Sequence, residues 1–591
     1  MSSLDLGIVG NGSIAALVDG GGRVVWCCLP ALDGDPAFCA LLSPVHHDAG
    51  YFAVELEHQV SSVQRYVPNT AVLVTRLTDA NGGAIEIVDC VPRFKQHERV
   101  YHPVMFIRRI RPVAGEPRVV LRLRPLTRRG AAVPERTWGS NHVRYVLDDY
   151  VLRATTDVPI PMLRDELSFV VDREYSIVLG PDETFAQSLA RAAREHVERT
   201  EDYWRQWVRF LSVPVDWQDE VIRAAITLKL CQYEGTGAVV AAVTTSIPES
   251  AGSGRNWDYR YCWLRDAAFV VRALNRLGAT RTMEEYLRYV FNIATAHPVL
   301  QPLYGIHFES SLEERIEPAL AGYRAMGPVR FGNDAWRQRQ NDVYGSVVLA
   351  ASQLFFDRRL ESPGTASTYA KLERLGEEAA RRWDQPDAGL WEYRGRSHVH
   401  TYSSVMCWTA CDRLARIGAR LALPDRAAHW RATADSIRTR IIERTWSERR
   451  GAFVESCDDE RLDASALLFA DLGFVAPDDP RFVRTVETIG RELGRGDYVF
   501  RYRDADDFGT PETAFTVCTF WYVEALAAIG QRDRARALFD NLLARCNPLG
   551  LLSEDVDVRT GELWGNYPQT YSLVGLIHAA IRLSRRWEDV V

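Results

Sequence analysis

The sequence predicts a multidomain α+β protein: an N-terminal antiparallel β-sandwich, a helical linker and a C-terminal double-layered helical barrel. Three observations lead to this prediction. The length of 591 residues exceeds what one hydrophobic core usually fills. Up to about residue 180 the apolar residues alternate with a period of two, and beyond it they recur with a period of 3.6.

The first 180 residues contain strand patterns in series. VLVTRLTDANGGAIEIVDCV (72–91) has β-branched residues on both sides of an Asn-Gly turn, which is typical of a hairpin. VMFIRRIRPVAGEPRVVLRLRP (104–125) repeats the pattern around AGEP, and HVRYVLDDYVLRATT and ELSFVVDREYSIVLG continue it. Strands that follow one another without intervening helices predict a β-sandwich over residues 1–180.

Helical periodicity begins in the linker, residues 181–212, where FAQSLARAAREHVERTEDYWRQWVRFL forms an amphipathic pattern. Residues 213–591 contain twelve further helical segments, which predict paired helices in a double-layered barrel. We expect them to start near Asp216, Leu264, Met283, Asp342, Thr365, Tyr402, Pro424, Asp463, Pro480, Glu512, Arg532 and Pro568.

Composition excludes several classes of function. The net charge of −7 gives no basis for binding nucleic acid or an anionic membrane, and no apolar run reaches 18 residues. The N-terminus resembles no signal peptide, and 11 scattered cysteines suit a reducing compartment, so we expect a cytoplasmic protein. Cys407 and Cys411 with His398 and His400 could bind zinc, but they lack close ligand pairs; we expect core cysteines, no metal and no cofactor.

The stretch GRNWDYRYCWLRDAAF (254–269) combines rings and charges: Trp257, Tyr259, Tyr261 and Trp263 alternate with Asp258, Arg260 and others. Rings that stack on a flat apolar face, beside Arg and Asp that bind hydroxyls, are typical of a sugar pocket. The alternative is a structural loop with internal salt bridges, Arg265–Asp266 and Asp258–Arg260.

Two carboxyls are candidates for acid–base catalysis. Glu392 lies between Trp391 and Tyr393, where an indole would desolvate the carboxyl and favour a general acid. The alternative is a partly exposed glutamate paired with Arg394 or Arg396. Glu554 lies in a turn-rich segment before the last predicted helix, with Asp555, Asp557 and Glu562 nearby. A calcium loop there would not have EF-hand spacing.

Five motifs in order, NWDYRYCWLRDAAF, QNDVYG, GLWEYRG, SEDVD and GNYPQTYSLVGLIHAA, resemble the bacterial branch of glycoside hydrolase family 15. This glucoamylase-like family also contains trehalases and glucodextranases. The opening GIVGNGSIAALVDGGGRVVWCCLPALDGDPAFCALL looks like the start of its β-sandwich domain. The resemblance implies a super-β-sandwich (1–180), a linker (181–212) and a catalytic (α/α)6 barrel (213–591). It also implies inverting, exo-acting hydrolysis of α-glucosides with release of β-glucose.

The resemblance also implies roles for individual residues. By position, Glu392 matches the general acid and Glu554 the general base. Arg265 and Asp266 match the pair that binds the hydroxyls of the terminal glucose, and Asp342 falls at a substrate-loop carboxylate. The expected walls of the pocket are Trp257, Tyr261 and Trp391. Asp555 follows the base where many glucoamylases have glutamine, and a neighbouring acid could raise the pKa of the base.

The leading hypothesis is therefore a hydrolase that acts on a small soluble disaccharide or oligosaccharide, with α,α-trehalase or glucan 1,4-α-glucosidase activity. Trehalose, maltooligosaccharides and isomaltooligosaccharides all fit this class. One alternative is an inverting disaccharide phosphorylase, although such enzymes replace the base with a phosphate pocket. The other alternative is a non-catalytic sugar-binding protein on the same scaffold.

Overall fold

Strands form the first part of the molecule in the computed structural model, which describes residues 3–297 and 299–590. One antiparallel sheet contains β1 (Gly7–Gly10), β2 (Ala15–Val18), β3 (Val24–Leu29), β4 (Asp35–Phe38), β5 (Tyr51–Leu56), β12 (Arg118–Arg124) and β16 (Phe169–Val170). A second contains β6 (Gln59–Tyr66), β7 (Leu73–Asp79), β8 (Ala84–Cys90), β11 (Phe106–Ala114), β13 (Glu135–Trp138), β14 (His142–Val146), β15 (Val151–Thr156) and β17 (Tyr175–Gly180). A small hairpin consists of β9 (Phe94–Gln96) and β10 (Arg99–Tyr101).

The two sheets enclose an apolar core to which both contribute, for example Phe52 and Leu121 from the first and Phe106 and Ile177 from the second. The strand order is β1-β2-β3-β5-β12-β16 in the first sheet, with β4 on β3, and β13-β14-β15-β17-β11-β8-β7-β6 in the second. The sandwich also contains a buried ion pair. Arg108 on β11 lies opposite Asp89 on β8 and donates two hydrogen bonds of 2.8 Å to its carboxylate, so both charges are compensated.

Strand positions agree with the sequence prediction, but one pairing differs. The segment 72–91 forms the expected hairpin, since β7 pairs with β8 around the Asn-Gly turn. The segment 104–125 forms no hairpin: β11 pairs with β8 and β17, whereas β12 pairs with β5 and β16. The chain crosses from one sheet to the other at residues 115–117. The sequence did not predict this crossing, because alternation of apolar residues identifies a strand but not the strand with which it pairs.

The rest of the chain is mainly helical. The helices are α1 (Ile160–Arg164), α2 (Leu189–Arg209), α3 (Gln218–Leu230), α4 (Leu264–Arg276), α5 (Thr280–Ala296), α6 (Asp342–Phe356), α7 (Ala366–Arg382), α8 (Thr401–Arg420), α9 (Pro424–Thr445), α10 (Pro480–Glu492), α11 (Thr516–Ala528), α12 (Arg532–Leu543) and α13 (Thr570–Leu583). The helix expected near Asp463 is instead a short 3₁₀ helix, Ala464–Leu468. All of its residues are buried, so it has no exposed face. Within the described residues, no helix is long and apolar enough to cross a membrane.

The helices after α2 form two layers. The neighbours α4, α6, α8, the 3₁₀ helix Ala464–Leu468, α11 and α13 contact one another in that order, and α13 also contacts α4. Helices α6 and α11 are buried on nearly every side, whereas α7 and α9 each bury a single stripe and both pack against α8. Short strands in the loops are β18 (Cys262–Trp263), β19 (Leu303–Tyr304), β20 (Arg315–Ile316), β21 (Arg330–Phe331), β22 (Trp446–Ser447), β23 (Ala452–Phe453), β24 (Gly494–Arg495), β25 (Tyr498–Val499), β26 (Ala514–Phe515), β27 (Asp555–Val556) and β28 (Leu563–Trp564).

Candidate active site

The candidate site lies at the N-terminal ends of three helices, α4, α8 and α13. Arg265 and Asp266 begin α4, the loop with Glu392 precedes α8, and the loop with Glu554 precedes α13. Because these helix starts are neighbours in space, the loops converge on one pocket.

Most of the predicted site residues line this pocket. These are Trp257, Arg265, Asp266, Trp391, Glu392 and Glu554. Sequence reasoning did not assign several further lining residues, including Glu249, Arg255, Tyr259, Trp263, Gln338, Arg394, Arg501, Asp506, Asp507, Phe508, Gln569 and Tyr571. Tyr259 and Trp263 were visible in the alternation of rings, but nothing in the sequence linked them to particular carboxyls.

Glu392 is held by hydrogen bonds at the wall of the pocket. Its Oε1 accepts from the indole N–H of Trp263 at 2.6 Å and from Gln340 Nε2 at 3.2 Å, and the Arg265 guanidinium lies 3.5 Å away. The side chain remains 23% exposed. Its backbone φ of +60° is an uncommon and costly conformation for a non-glycine residue.

The indole at Glu392 is therefore not the one that the sequence suggested. Trp391 lines the pocket, but its N–H donates to Asp463 Oδ2 at 2.6 Å. The alternative pairing with Arg394 is not formed either, since Arg394 donates to Glu314 at 2.7 Å.

Glu554 is buried deeper, with 1% of its surface exposed. Its Oε1 accepts a hydrogen bond of 2.6 Å from Tyr259 Oη, whereas Oε2 has no hydrogen-bond partner among the described residues. Burial, reinforced by the negative charges of Glu249 and Asp555, raises the pKa of Glu554 well above its usual range. The charge of Asp555 thus raises the pKa of Glu554, as the sequence suggested.

Glu249 places a third carboxylate close to Glu554 and Asp555. It accepts 2.7 Å and 3.2 Å hydrogen bonds from Arg501 Nη2 and the Trp257 indole N–H. Arg501 is buried in the same place, and its positive charge offsets part of the negative charge around Glu554. Glu554 thus lies in a cluster with more acidic than basic groups.

Two adjacent rings connect the pair of candidate catalytic carboxyls. Tyr259 binds Glu554 and Trp263 binds Glu392, and their rings meet edge to face with centroids 5.3 Å apart. One contact between rings thus fixes the positions of both carboxyls relative to each other.

Gly565 leaves the space that the side chain of Glu554 occupies. A Cβ at this position would lie 2.5 Å from the Cβ of Glu554 and 2.7 Å from its Oε2, and the backbone φ is +76°. Only glycine satisfies both requirements without strain.

Arg265 and Asp266 form the polar end of the pocket. Arg265 Nε donates to Asp266 Oδ1 at 3.1 Å, and its Nη1 donates to Gln340 Oε1 at 2.9 Å. Burial raises the pKa of Asp266 to about 6, although the Arg265 charge opposes the shift. Asp342 lies 3.6 Å from Arg265, is fully buried and does not line the pocket, so the expected substrate-loop carboxylate instead lies behind the arginine.

Tyr261 does not lie where the sequence placed it. It lines a separate cleft between the sandwich and the loops of the helical part, and it belongs to an apolar cluster with Trp263 and Leu303. The salt bridge proposed as the alternative for this stretch is also present: Arg260 donates to both oxygens of Asp258, at 2.9 and 2.7 Å. The stretch therefore contains a pocket wall and a structural loop together.

The cysteines and histidines considered for zinc lie elsewhere. Cys407 is buried and donates to the Asn341 carbonyl at 3.3 Å, and His400 stacks on the ring of Tyr393. The described residues contain no group of three His, Cys, Asp or Glu side chains arranged to hold a metal ion.

The chain is similar to known proteins over nearly its whole length. Residues 216–581 match the profile of glycosyl hydrolases family 15, and residues 4–132 match a trehalase-like N-terminal profile. The chain is 34% identical to a trehalase of Mycobacterium tuberculosis (99% of this chain, 90% of that protein). It is 30% identical to a trehalase of Thermoplasma volcanium (98% and 93%). A bacterial glucoamylase complexed with acarbose has the same fold, with a TM-score of 0.67 at 14% identity over 98% of this chain and 94% of that chain.

These matches, and a ring-lined pocket with two hydrogen-bonded glutamates, define a glycoside hydrolase. Since the catalytic profile spans more than half of the sequence, the chain belongs to glycosyl hydrolases family 15.

Proposed function

We propose that this chain hydrolyses α,α-trehalose with inversion, using Glu392 as general acid and Glu554 as general base. The observation behind this proposal is the pair of adjacent rings that holds the two carboxyls in one pocket. Trehalose is the substrate that the names of the relatives support, because full-length matches of 30–34% identity are trehalases.

The proposed reaction has one step. Arg265 and Asp266 bind hydroxyls of one glucose, and protonated Glu392 gives its proton to the glycosidic oxygen as the bond to C1 breaks. Ionised Glu554 takes a proton from water, whose oxygen forms the new bond to C1 from the opposite face, and β-glucose results. Oε2 of Glu554, which has no partner among the described residues, is free to accept that proton. Inversion requires the two carboxyls to lie roughly 6.5–9.5 Å apart.

A glutamate at the position of the base argues against the phosphorylase alternative, in which phosphate replaces the water. Two acid–base candidates in one pocket likewise argue against a sugar-binding protein without catalysis. Hydrolysis of α-1,4-linked glucans is the second activity to test, since it uses the same two carboxyls.

We also propose that residues 213–591 close into an (α/α)6 barrel, with the 3₁₀ helix Ala464–Leu468 as one of its inner members. The ring of contacts from α4 to α13 supports this. We further propose the boundaries 1–180, 181–212 and 213–591. They are supported by the end of β17, the last strand of the two large sheets, at Gly180, by helix α2 (Leu189–Arg209), and by the family profile, which starts at residue 216.

A proton NMR time course tests the reaction. With trehalose, inversion releases equal early amounts of α- and β-glucose, because the leaving glucose keeps its α configuration; retention would release α-glucose alone. Maltotriose and isomaltose in parallel distinguish trehalase from glucan hydrolase activity. Early α-glucose alone from trehalose would refute the two-glutamate scheme.

Matched variants test the two assignments. Glu392→Gln and Glu554→Gln should each lower kcat by about 10²–10⁴-fold, the usual contribution of a general acid or base. Asp557→Asn is the control, since Asp557 lies in the same loop as Glu554, bonds to Arg559 and does not line the pocket. Unchanged turnover in either glutamate variant would end that assignment.

A further inference from the structure

A short segment crosses the exposed end of the pocket. Residues 505–509, called the strap here, lie between β25 and β26 in the connection that leads to α11. The strap closes on itself, because Asp506 and Gly509 exchange backbone hydrogen bonds of 3.1 and 3.3 Å. Asp506, Asp507 and Phe508 line the pocket.

One end of the strap is bound to the first residues of the aromatic stretch (254–269). The buried Arg255 donates to both oxygens of Asp506 at 2.6 Å and to the Gly509 carbonyl at 2.7 Å. Tyr502 Oη also donates to Asp506. A bidentate arginine–carboxylate pair of this kind fixes orientation as well as position.

The other side of the strap is fastened to the loop that follows the proposed acid. Asp507 Oδ2 accepts from the backbone N–H groups of Arg394 and Gly395, at 2.7 and 3.0 Å, and Arg396 donates to the Ala505 carbonyl. Gly395 makes this approach possible, since a Cβ there would lie 2.4 Å from Asp507 Oδ1. The strap therefore joins loops from two sides of the pocket.

The strap and its anchors form a wall beyond Glu392. Phe508 meets Trp257 edge to face at 5.0 Å, and the Arg394 guanidinium lies 4.4 Å from the centre of the Trp257 ring. Arg265 and Asp266, at the opposite end, are buried, whereas Asp507 and Arg394 are exposed. A glucose bound at Arg265 and Asp266 thus leaves the second sugar between Glu392 and this wall.

We propose that the strap limits the enzyme to disaccharides, because it closes the pocket behind a single leaving-group sugar. Rings and charges of the wall would hold that second glucose by stacking and by hydrogen bonds to its hydroxyls. A third sugar would have to displace the strap and break its bonds to Arg255 or to the Arg394–Gly395 backbone. This inference rests on the proposed hydrolysis and adds to it the length of the substrate.

The test compares trehalose with its 4-O-α-glucosyl derivative, a trisaccharide that needs one more site beyond the cleaved bond. We expect wild type to show kcat/KM at least about tenfold lower for the trisaccharide. In Gly395→Ala the new methyl group would push Asp507 away, and the backbone φ of residue 395 suits alanine. This variant should raise the ratio of kcat/KM for the trisaccharide to kcat/KM for trehalose by about tenfold. Asp507→Ala, which removes the same anchor without adding volume, should move the ratio in the same direction.

Gly20→Ala is the matched control: it makes the same chemical change where nothing lies within 4 Å, and its ratio should equal that of wild type. Equal wild-type kcat/KM values for the two substrates would overturn the role of the strap and leave the proposed hydrolysis intact. An unchanged ratio in both anchor variants would also overturn it. If wild type cleaves neither substrate, the proposed function itself fails.

Discussion

Replacing Gly565 by alanine should impair the base without changing any catalytic group. The new Cβ would lie 2.5 Å from the Cβ of Glu554, so the two must separate by about 0.9 Å to reach an ordinary contact of 3.4 Å. A displacement of about 1 Å at a reacting group can cost roughly 10²-fold in rate. We therefore expect kcat for trehalose to fall about a hundredfold, which corresponds to about 2.7 kcal/mol in the activation barrier.

The substitution also strains the backbone, because φ at Gly565 is +76° and alanine there costs about 1–2 kcal/mol. Gly530→Ala separates the two effects: Gly530 has φ +90° and nothing within 4 Å of the added Cβ. Both variants should lose stability in thermal unfolding, Gly565→Ala more because its methyl group also crowds the buried Glu554. Only Gly565→Ala should lose activity in steady-state kinetics at saturating substrate. Wild-type kcat in Gly565→Ala, or an equal loss in Gly530→Ala, would refute the reasoning.

Three further changes test the pocket and the sandwich. Tyr259→Phe removes the hydroxyl that donates to Glu554 and should lower kcat about 10–100-fold, with KM for trehalose nearly unchanged, in steady-state assays. Glu249→Gln removes a negative charge that raises the pKa of the base; because the base must be ionised to act, the acid limb of the kcat–pH profile should move about one unit lower. Arg108→Ala leaves Asp89 buried without its partner and should cost about 3–5 kcal/mol of stability in urea unfolding.

Each of these has its own control. Tyr261→Phe changes the same type of ring outside the pocket and should leave kcat as in wild type. Glu512→Gln removes an exposed carboxyl from a neighbouring loop and should not move the pH profile. Arg111→Ala, on the same strand as Arg108 but half exposed, should cost less than about 1 kcal/mol. A shift of the acid limb to higher pH in Glu249→Gln would contradict the electrostatic argument.

The sequence predicted most elements because their signals are local. Alternation located β7 and β8, and a 3.6-residue period located the starts of α4, α6 and α9 to the residue. Sheet partners depend on contacts between distant segments, so the same alternation could not show that β11 and β12 belong to different sheets.

Within the site, the rings of the aromatic stretch show the same limit. Every second residue from 257 to 263 is aromatic: Trp257, Tyr259, Tyr261 and Trp263. Of these four rings, Tyr261 alone lies outside the pocket. The stretch is irregular until β18, and bonds from Asp258 and Arg260 to distant backbone set its path. A positive φ at Glu392 is equally invisible in the sequence, and the nearest indole in the chain was the wrong one.

The Asp258–Arg260 pair limits which domains of family members can be exchanged to make chimaeras. Arg260 also donates to the Gly34 carbonyl at 3.0 Å, and Asp258 accepts from the Gly332 backbone N–H at 3.1 Å. The residue between them is Tyr259, which binds the proposed base. A chimaera that exchanges the sandwich must therefore preserve the β3–β4 turn around Gly34, since a graft that alters this turn would disturb an acid–base residue it never touches.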